Sequence, residues 1–212
     1  MNIQEFETLF KEKVKKDYRT KDIDEFNKYL IKNNIDVSFL KDELLKSDKF
    51  NRTYFKVMLS KYNNIEEKLE FIEQNEKLLN DWWHVDQLPQ FLGKSLNLEL
   101  AYEKAKVYVE SNLTFTRRWG YVIFMPSLVK DKKSFDLIVS LLKNDNEYYV
   151  IMAEAWLISY LAIYHPEKTY KYLSDCNLNY DIVGRAIQKI CDSFRIDIEY
   201  KNKVKEIRKK YK

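Results

Sequence analysis

The stretch YYVIMAEAWLISYLAIYHPEKTYKYL, residues 148–173, decides the fold of this chain. Its continuous apolar part, from about Val150 to Ile163, is too long for a β-strand and is typical of a helix buried inside a helical protein. Glu154 is the one charged residue between Glu147 and His165, and it makes the run a poor candidate for a membrane span of roughly 18 or more apolar residues. We therefore expect a buried helix in a protein that is neither membrane-bound nor exported.

The remainder of the chain also favours helices. Only three glycines and three prolines occur among 212 residues, which leaves little material for hairpin turns. Apolar residues recur at intervals of three and four, as in Phe6, Phe10 and Val14. The sequence thus predicts an all-α protein of about a dozen helices.

From residue 64 onward the predicted helices fall into consecutive pairs. Because one pair cannot bury its apolar face alone, a repeat of roughly 35 to 45 residues indicates an α-solenoid with a concave surface. The predicted pairs are 65–75 with 80–91, 96–110 with 114–129, and 133–143 with 147–164. We expect one domain over residues 1–212, with divergent N-terminal helices at 1–50, repeats at 50–200 and a basic tail at 201–212.

Composition excludes several classes of site. Cys176 and Cys191 are too few for a disulfide framework, and His84 and His165 lack the spacing of metal ligands. No phosphate-binding glycine loop or acyl-transfer motif is present. We expect a cytoplasmic protein without a metal or cofactor. The net charge of +4 permits nucleic-acid binding if the cations share a face, and the tail KNKVKEIRKKYK gathers seven of them, although a solvated terminal helix explains the tail equally well.

The second helix of each pair carries the unusual residues. In a curved helical array these helices line one face, so their side chains can converge. The residues are Trp82, Trp83 and Asp86 in one helix, Arg117, Arg118 and Trp119 in the next, and Glu154 and Trp156 in the third.

Four segments of the chain resemble one family, in order: DWWHVDQL, TFTRRWGYVIFM, the stretch 148–173, and AIQKICDSFRI. Over roughly residues 50–200 the chain resembles the DNA alkylation repair family of HEAT-like-repeat DNA glycosylases; residues 1–50 carry no motif of that family that we can identify. The resemblance implies a right-handed α-solenoid of antiparallel helix pairs. It also implies a basic concave groove that holds duplex DNA and removes cationic N3- or N7-alkylated purines. We expect a monomer.

The resemblance also implies a set of site residues. The catalytic carboxylate is Asp86, with Trp82 as the tryptophan one helical turn before it. Arg118 is the catalytic arginine, Arg117 is its alternative, and Trp156 is the second tryptophan. Relatives of the better-known branch tend to carry basic residues at the positions of Met152 and Ser159, so the electrostatics of the groove differ here.

The residue types suit this chemistry. A carboxylate stabilises the oxocarbenium-like sugar and positions or deprotonates water. Tryptophan faces attract a cationic base, and arginine binds phosphate bidentately. The sequence places no lysine beside Asp86 that could form a Schiff base in a lyase step, so we expect a monofunctional glycosylase.

Simpler interpretations stay open. Trp82 and Asp86 also fit a packed indole beside a surface acid, or an acid paired with Arg118. Trp156 fits a core position, Trp83 and Trp119 fit core or rim positions, and Glu154 fits a structural partner of a buried arginine or tyrosine. The alternative function is a non-catalytic helical-repeat module that binds distorted or branched nucleic acid, or a protein partner.

Overall fold

The computed structural model describes residues 1–211. These residues form fourteen α-helices and three short 3₁₀ helices, with no strand among them, so the predicted all-α class is confirmed. No helix in this part of the chain has the length and apolar character needed to cross a membrane. The chain divides into two compact units, Met1–Ser95 and Leu96–Lys212, which are described separately.

The first unit contains seven helices and is built around aromatic rings. The Phe6 ring makes edge-to-face contacts with Phe26 at 5.7 Å, Phe39 at 5.6 Å and Phe50 at 5.1 Å between centroids. Asn2 caps the first helix through a reciprocal capping box with Glu5. The helices are α1 Ile3–Lys13, α2 Thr20–Lys32, α3 Leu40–Leu44, α4 Asn51–Leu59, α5 Ile65–Gln74, α6 Trp82–Asp86 and α7 Leu88–Leu92.

The second unit is organised around its longest helix, α11, which packs against α9, α12 and α13. Helix α9 also packs against α8. The prediction of one helix over residues 114–129 is too long, because α9 ends at Val122 and a separate 3₁₀ turn covers Leu128–Lys130. The helices are α8 Leu98–Tyr108, α9 Thr114–Val122, α10 Ser134–Val139, α11 Tyr148–Tyr164, α12 Pro166–Asp175, α13 Tyr180–Asp192 and α14 Ile198–Lys205.

Small residues bring the central helices of the second unit together. Ala155 and Ala162 on α11 and Ala186 on α13 are buried in one apolar cluster with their isoleucine neighbours. Gly120 on α9 allows a similarly close approach, because a Cβ added there would lie 2.7 Å from Val109 Cγ1. The second unit is therefore close-packed where its helices cross.

The basic tail is partly a packed element. Tyr200, Val204 and Ile207 are buried, and the Tyr200 hydroxyl donates a 2.7 Å hydrogen bond to the Pro166 carbonyl. A 3₁₀ turn over Glu206–Tyr211 follows α14. The prediction of a basic tail over residues 201–212 also includes Lys212, which lies outside the described residues.

Glu154 is the buried carboxyl of α11. Its Oε1 accepts a 3.0 Å hydrogen bond from the Lys143 backbone N–H, whereas its Oε2 has no hydrogen-bond partner. The nearby Tyr121 hydroxyl donates at 3.3 Å to the Leu141 carbonyl. The expectation that Glu154 is the structural partner of a buried arginine or tyrosine stays a prediction. Burial raises the pKa of Glu154 to about 8, although the Lys143 N–H and the Tyr121 hydroxyl favour the charged form.

Glu154→Gln will change how stability depends on pH. The ordinary pKa of 4.5 is raised to about 8 in the fold, so the contribution of the neutral carboxyl is complete below pH 4.5 and is lost as pH rises towards 8. Between pH 5 and 8 the wild type should lose stability as pH rises, whereas Glu154→Gln should not. We therefore expect the difference in unfolding free energy, variant minus wild type, to increase by about 1 kcal/mol per pH unit. Chemical denaturation at each pH measures the difference.

The exposed Glu147, just before α11, provides the control for this pH effect. Glu147→Gln tests whether the loss of an exposed carboxylate alone changes the dependence of stability on pH. A constant difference for Glu154→Gln would show that Glu154 is ionised throughout.

Candidate functional site

Helix α6 presents Trp82 and Asp86 on one face. Asp81 begins the helix, because its Oδ1 accepts a 2.6 Å hydrogen bond from the Trp82 backbone N–H. On the opposite face His84 and Val85 are fully buried. The i, i+4 spacing therefore places the indole of Trp82 and the carboxylate of Asp86 on the outer side of a single helical turn.

His84 anchors this turn. Its Nδ1 accepts a 3.3 Å hydrogen bond from the Asn80 backbone N–H, and its ring lies edge-on to Trp83 at 4.0 Å between centroids. Burial lowers the pKa of His84, although the nearby Asp48 carboxylate opposes that change. The imidazole is therefore neutral at pH 7 and acts as a structural acceptor.

The prediction of one continuous helix over residues 80–91 is wrong. The structure has two short helices, α6 and α7, that meet at Gln87. Pro89 accounts for the break, because it has no N–H to bond the Val85 carbonyl and its ring would clash with that carbonyl in a continuous helix. Asp86 consequently lies at the C-terminal end of its helix.

Buried side chains fix the junction between α6 and α7. The Gln87 Nε2 donates a 2.8 Å hydrogen bond to Asn51 Oδ1 on α4, and the Asn51 Nδ2 donates at 2.9 Å to the Leu78 carbonyl. Both side chains are almost completely buried. This network attaches the residue after Asp86 to the core of the first unit.

Asp86 lies in a surface hollow with cationic walls. Lys49 and Arg52 line it, together with Trp83 and Gln90. Each cation has a carboxylate partner: Lys49 Nζ lies 2.7 Å from Glu7, and Arg52 makes two 2.8 Å hydrogen bonds to Asp24. The carboxylates therefore hold both cations in place and offset part of their positive charge.

The two neighbouring tryptophans occupy different environments. Trp83 is half-buried and lines the hollow, whereas Trp82 lies outside its lining and exposes 47% of its surface. An indole this exposed has one face available to a ligand. Trp82 thus has the accessibility that a base-contacting residue needs, and Trp83 has the position nearer to the cations.

In the second unit, Arg118 lies on α9 and is buried against the first turn of α11. Its Nη1 donates a 2.6 Å hydrogen bond to the Tyr149 carbonyl, and the side chain is 5% exposed. The contact joins α9 to the N-terminal turn of the helix that carries Trp156.

Arg117 belongs to a separate ion pair. Its Nε donates a 2.8 Å hydrogen bond to Asp145, and its Nη1 donates at 3.0 Å to the Ser111 carbonyl. Asp145 also accepts a 2.7 Å hydrogen bond from the Glu147 backbone N–H. Burial raises the pKa of Asp145, but the hydrogen bonds from Arg117 and Glu147 outweigh that effect and lower it overall.

Trp156 is half-buried on α11 and stacks edge-on with Tyr160, with 5.9 Å between centroids. The buried Ser159 hydroxyl donates a 2.7 Å hydrogen bond to the Trp156 carbonyl and is thus occupied within the helix. Trp119 is 1% exposed, as expected for a core residue.

The structure brings the predicted residues together in two sets. Trp82 and Asp86 share one turn of the first unit, while Arg117, Arg118 and Trp156 lie in the second. Their convergence on one site remains a prediction, because the sets belong to different compact units. Sequence analysis missed Arg52 and Lys49, whose partners Asp24 and Glu7 are distant in the chain. Lys49 lines the same hollow as Asp86, so the expectation that no lysine lies beside Asp86 is wrong, although Lys49 is ion-paired with Glu7.

No group of three His, Cys, Asp or Glu side chains able to hold a metal ion occurs among residues 1–211. A family described as "DNA alkylation repair enzyme" matches residues 11–198. The match extends well beyond the resemblance identified over residues 50–200 and includes most of the N-terminal helices. Comparison with curated proteins and with solved structures gave no match.

Arg117→Ala will destabilise the second unit. It leaves the buried Asp145 carboxylate without its cation, which we expect to reduce the unfolding free energy by about 3 kcal/mol. Urea denaturation measures the loss. The control is Lys106→Ala, which removes the exposed pair with Glu103 and should cost much less, because exposed ion pairs contribute little to stability. Equal losses in the two variants would contradict a structural role for Arg117.

Proposed function

This chain belongs to the family of DNA alkylation repair enzymes, and we propose that it is a monofunctional DNA glycosylase. The proposed reaction is hydrolysis of the N-glycosidic bond of cationic N3- or N7-alkylated purines in duplex DNA. The observation that carries the proposal is the outer face of α6, where an exposed indole and a carboxylate share one helical turn.

Alkylation makes the purine a good leaving group. As the bond between C1′ and the base nitrogen breaks, its electron pair neutralises the positive charge on the base, and the sugar becomes an oxocarbenium ion. Asp86 stabilises that developing charge and takes the proton from the water that attacks C1′. The products are a neutral alkylated base and an abasic sugar.

The other residues bind and select the damaged nucleotide. Trp82 and Trp156 are the residues proposed to favour a cationic base over a neutral one. Arg118 binds a phosphate beside the lesion, and its bond to the Tyr149 carbonyl fixes the position of the guanidinium. Arg117, which bonds to Asp145 and to the Ser111 carbonyl, is the alternative phosphate contact.

The proposal includes an architecture. The helix pairs would stack into a right-handed solenoid of HEAT-like repeats within one domain, and the concave groove would hold the duplex. The direct packing of α8 on α9 and of α9 on α11 supports this arrangement, because successive repeats contact their neighbours. The proposed enzyme acts as a monomer without a metal or cofactor.

Asp86→Asn will abolish most base release. The substitution removes the charge that stabilises the oxocarbenium ion, so we expect kcat to fall by about 10²–10³-fold or more. DNA affinity should stay the same or increase, because one negative charge near the phosphates is lost. Release of N7-methylguanine and N3-methyladenine from duplex DNA measures turnover, and fluorescence anisotropy measures binding.

A matched control lies five residues earlier. Asp81→Asn removes the same charge from the same segment and keeps a good helix cap, so it should retain activity. If the wild type releases no base while it binds DNA, the glycosylase proposal fails and the chain is a binding module. Equal activity of Asp86→Asn and the wild type would make Asp86 a structural acid.

Trp82→Ala and Trp83→Ala will separate the roles of the two indoles. Because Trp82 is the more exposed, its removal should lower kcat/KM for a cationic lesion by roughly tenfold while stability changes by less than about 1 kcal/mol. Trp83→Ala should mainly reduce the unfolding free energy. The reverse pattern would identify Trp83 as the wall of the site.

A further inference from the structure

Helix α11 has an accessible stripe of large side chains but no cation of its own. Tyr148, Met152, Trp156 and Tyr160 recur every four residues and therefore share one face. Tyr148 is 53% exposed, and the other three are half-buried. No lysine or arginine occurs from Tyr148 to Tyr164, so the helix cannot supply charge for a phosphate from its own sequence.

Two arginines from outside α11 lie on this stripe. The guanidinium of Arg185, on α13, lies over the Tyr148 ring at 5.2 Å, and its Nη1 is 3.8 Å from Met152 Sδ. The guanidinium of Arg195, in the loop after α13, lies over the Tyr160 ring at 4.8 Å. The Tyr160 ring in turn contacts the Trp156 ring, so Arg195 lies next to this aromatic pair.

Stacking leaves part of each guanidinium available, although the Arg185 Nε is buried and its Nη1 faces the Met152 sulfur. A guanidinium lying on an aromatic face keeps its N–H groups at the edge, where they can bind a phosphate bidentately. Within residues 1–211 neither Arg185 nor Arg195 is bonded to a carboxylate. The carboxylate of Asp181 lies in the same surface hollow as Arg185, but Arg208 lies there too, so cations outnumber it.

We infer that Arg185 and Arg195 bind two backbone phosphates of duplex DNA on either side of Trp156. Tyr148 and Tyr160 are twelve residues apart, which is about 18 Å along the helix at 1.5 Å per residue. That separation corresponds to about five base-pair steps of 3.4 Å each. The inference rests on the proposed function and names the cationic contacts that position the DNA over the second wall of the site.

The charge on each arginine can be tested by binding at several salt concentrations. The probe is an unmodified duplex of about two helical turns. Each phosphate contact releases about 0.9 counterions, so Arg185→Ala and Arg195→Ala should each reduce the salt slope by about 0.9 and weaken binding roughly eightfold at 0.1 M salt. The double variant should show both effects together.

Two control variants separate position from net charge. Lys132→Ala removes one charge from an exposed loop of the same unit and should leave the salt slope unchanged. Arg195→Lys keeps the charge without the planar guanidinium, so it should retain most of the slope but bind less tightly than the wild type. Circular dichroism confirms the fold of each variant.

The outcomes distinguish this inference from the glycosylase proposal. If the two alanine variants match Lys132→Ala in affinity and slope, the inference is overturned even when the wild type releases base. If both lose slope while the wild type releases no base, the phosphate contacts stand and the glycosylase proposal fails. A wild type that does not bind duplex DNA overturns both.

Discussion

Burial of α11 is the constraint on which the second unit depends. The helix packs against α9 on one side and α13 on another, and alanines at its contacts let the backbones approach. A carboxyl at Glu154 is accommodated there by the hydrogen bond from the Lys143 N–H and by a raised pKa, which favours its neutral form. Only one stripe of the helix remains accessible. The same packing that stabilises the unit therefore decides which of its side chains can meet a ligand.

Local pattern predicted the helices well and their interruptions poorly. Apolar spacing identified the all-α class, and length alone identified the buried helix at 148–164. The break at Gln87 was missed because the apolar pattern continues across Pro89, which lacks the N–H that a continuous helix needs. The Gln87 side chain, which donates a hydrogen bond to Asn51, also fixes the junction. The expectation of a single domain stays a prediction, since the chain divides into two compact units.

In the candidate site, too, contacts within one helical turn could be predicted from sequence, whereas contacts between distant segments could not. Trp82 and Asp86 could be placed together from sequence, because four residues make one helical turn. Arg117 and Arg118 could not be told apart, because adjacent side chains diverge around a helix and their partners lie in a segment about thirty residues later. Asp145 accepts a hydrogen bond from Arg117, and the Tyr149 carbonyl accepts one from Arg118.

Long-range contacts also alter the meaning of a single substitution. By the resemblance, Met152 stands where relatives carry a basic residue, which from sequence implies a loss of positive charge. In the fold, Arg185 extends from α13 to within 3.8 Å of the Met152 sulfur. The guanidinium thus brings a cation back to this face of α11 from the neighbouring helix. A long, flexible side chain can deliver charge across a helix interface, so the electrostatics of a helical face follow from its neighbours as much as from its own residues.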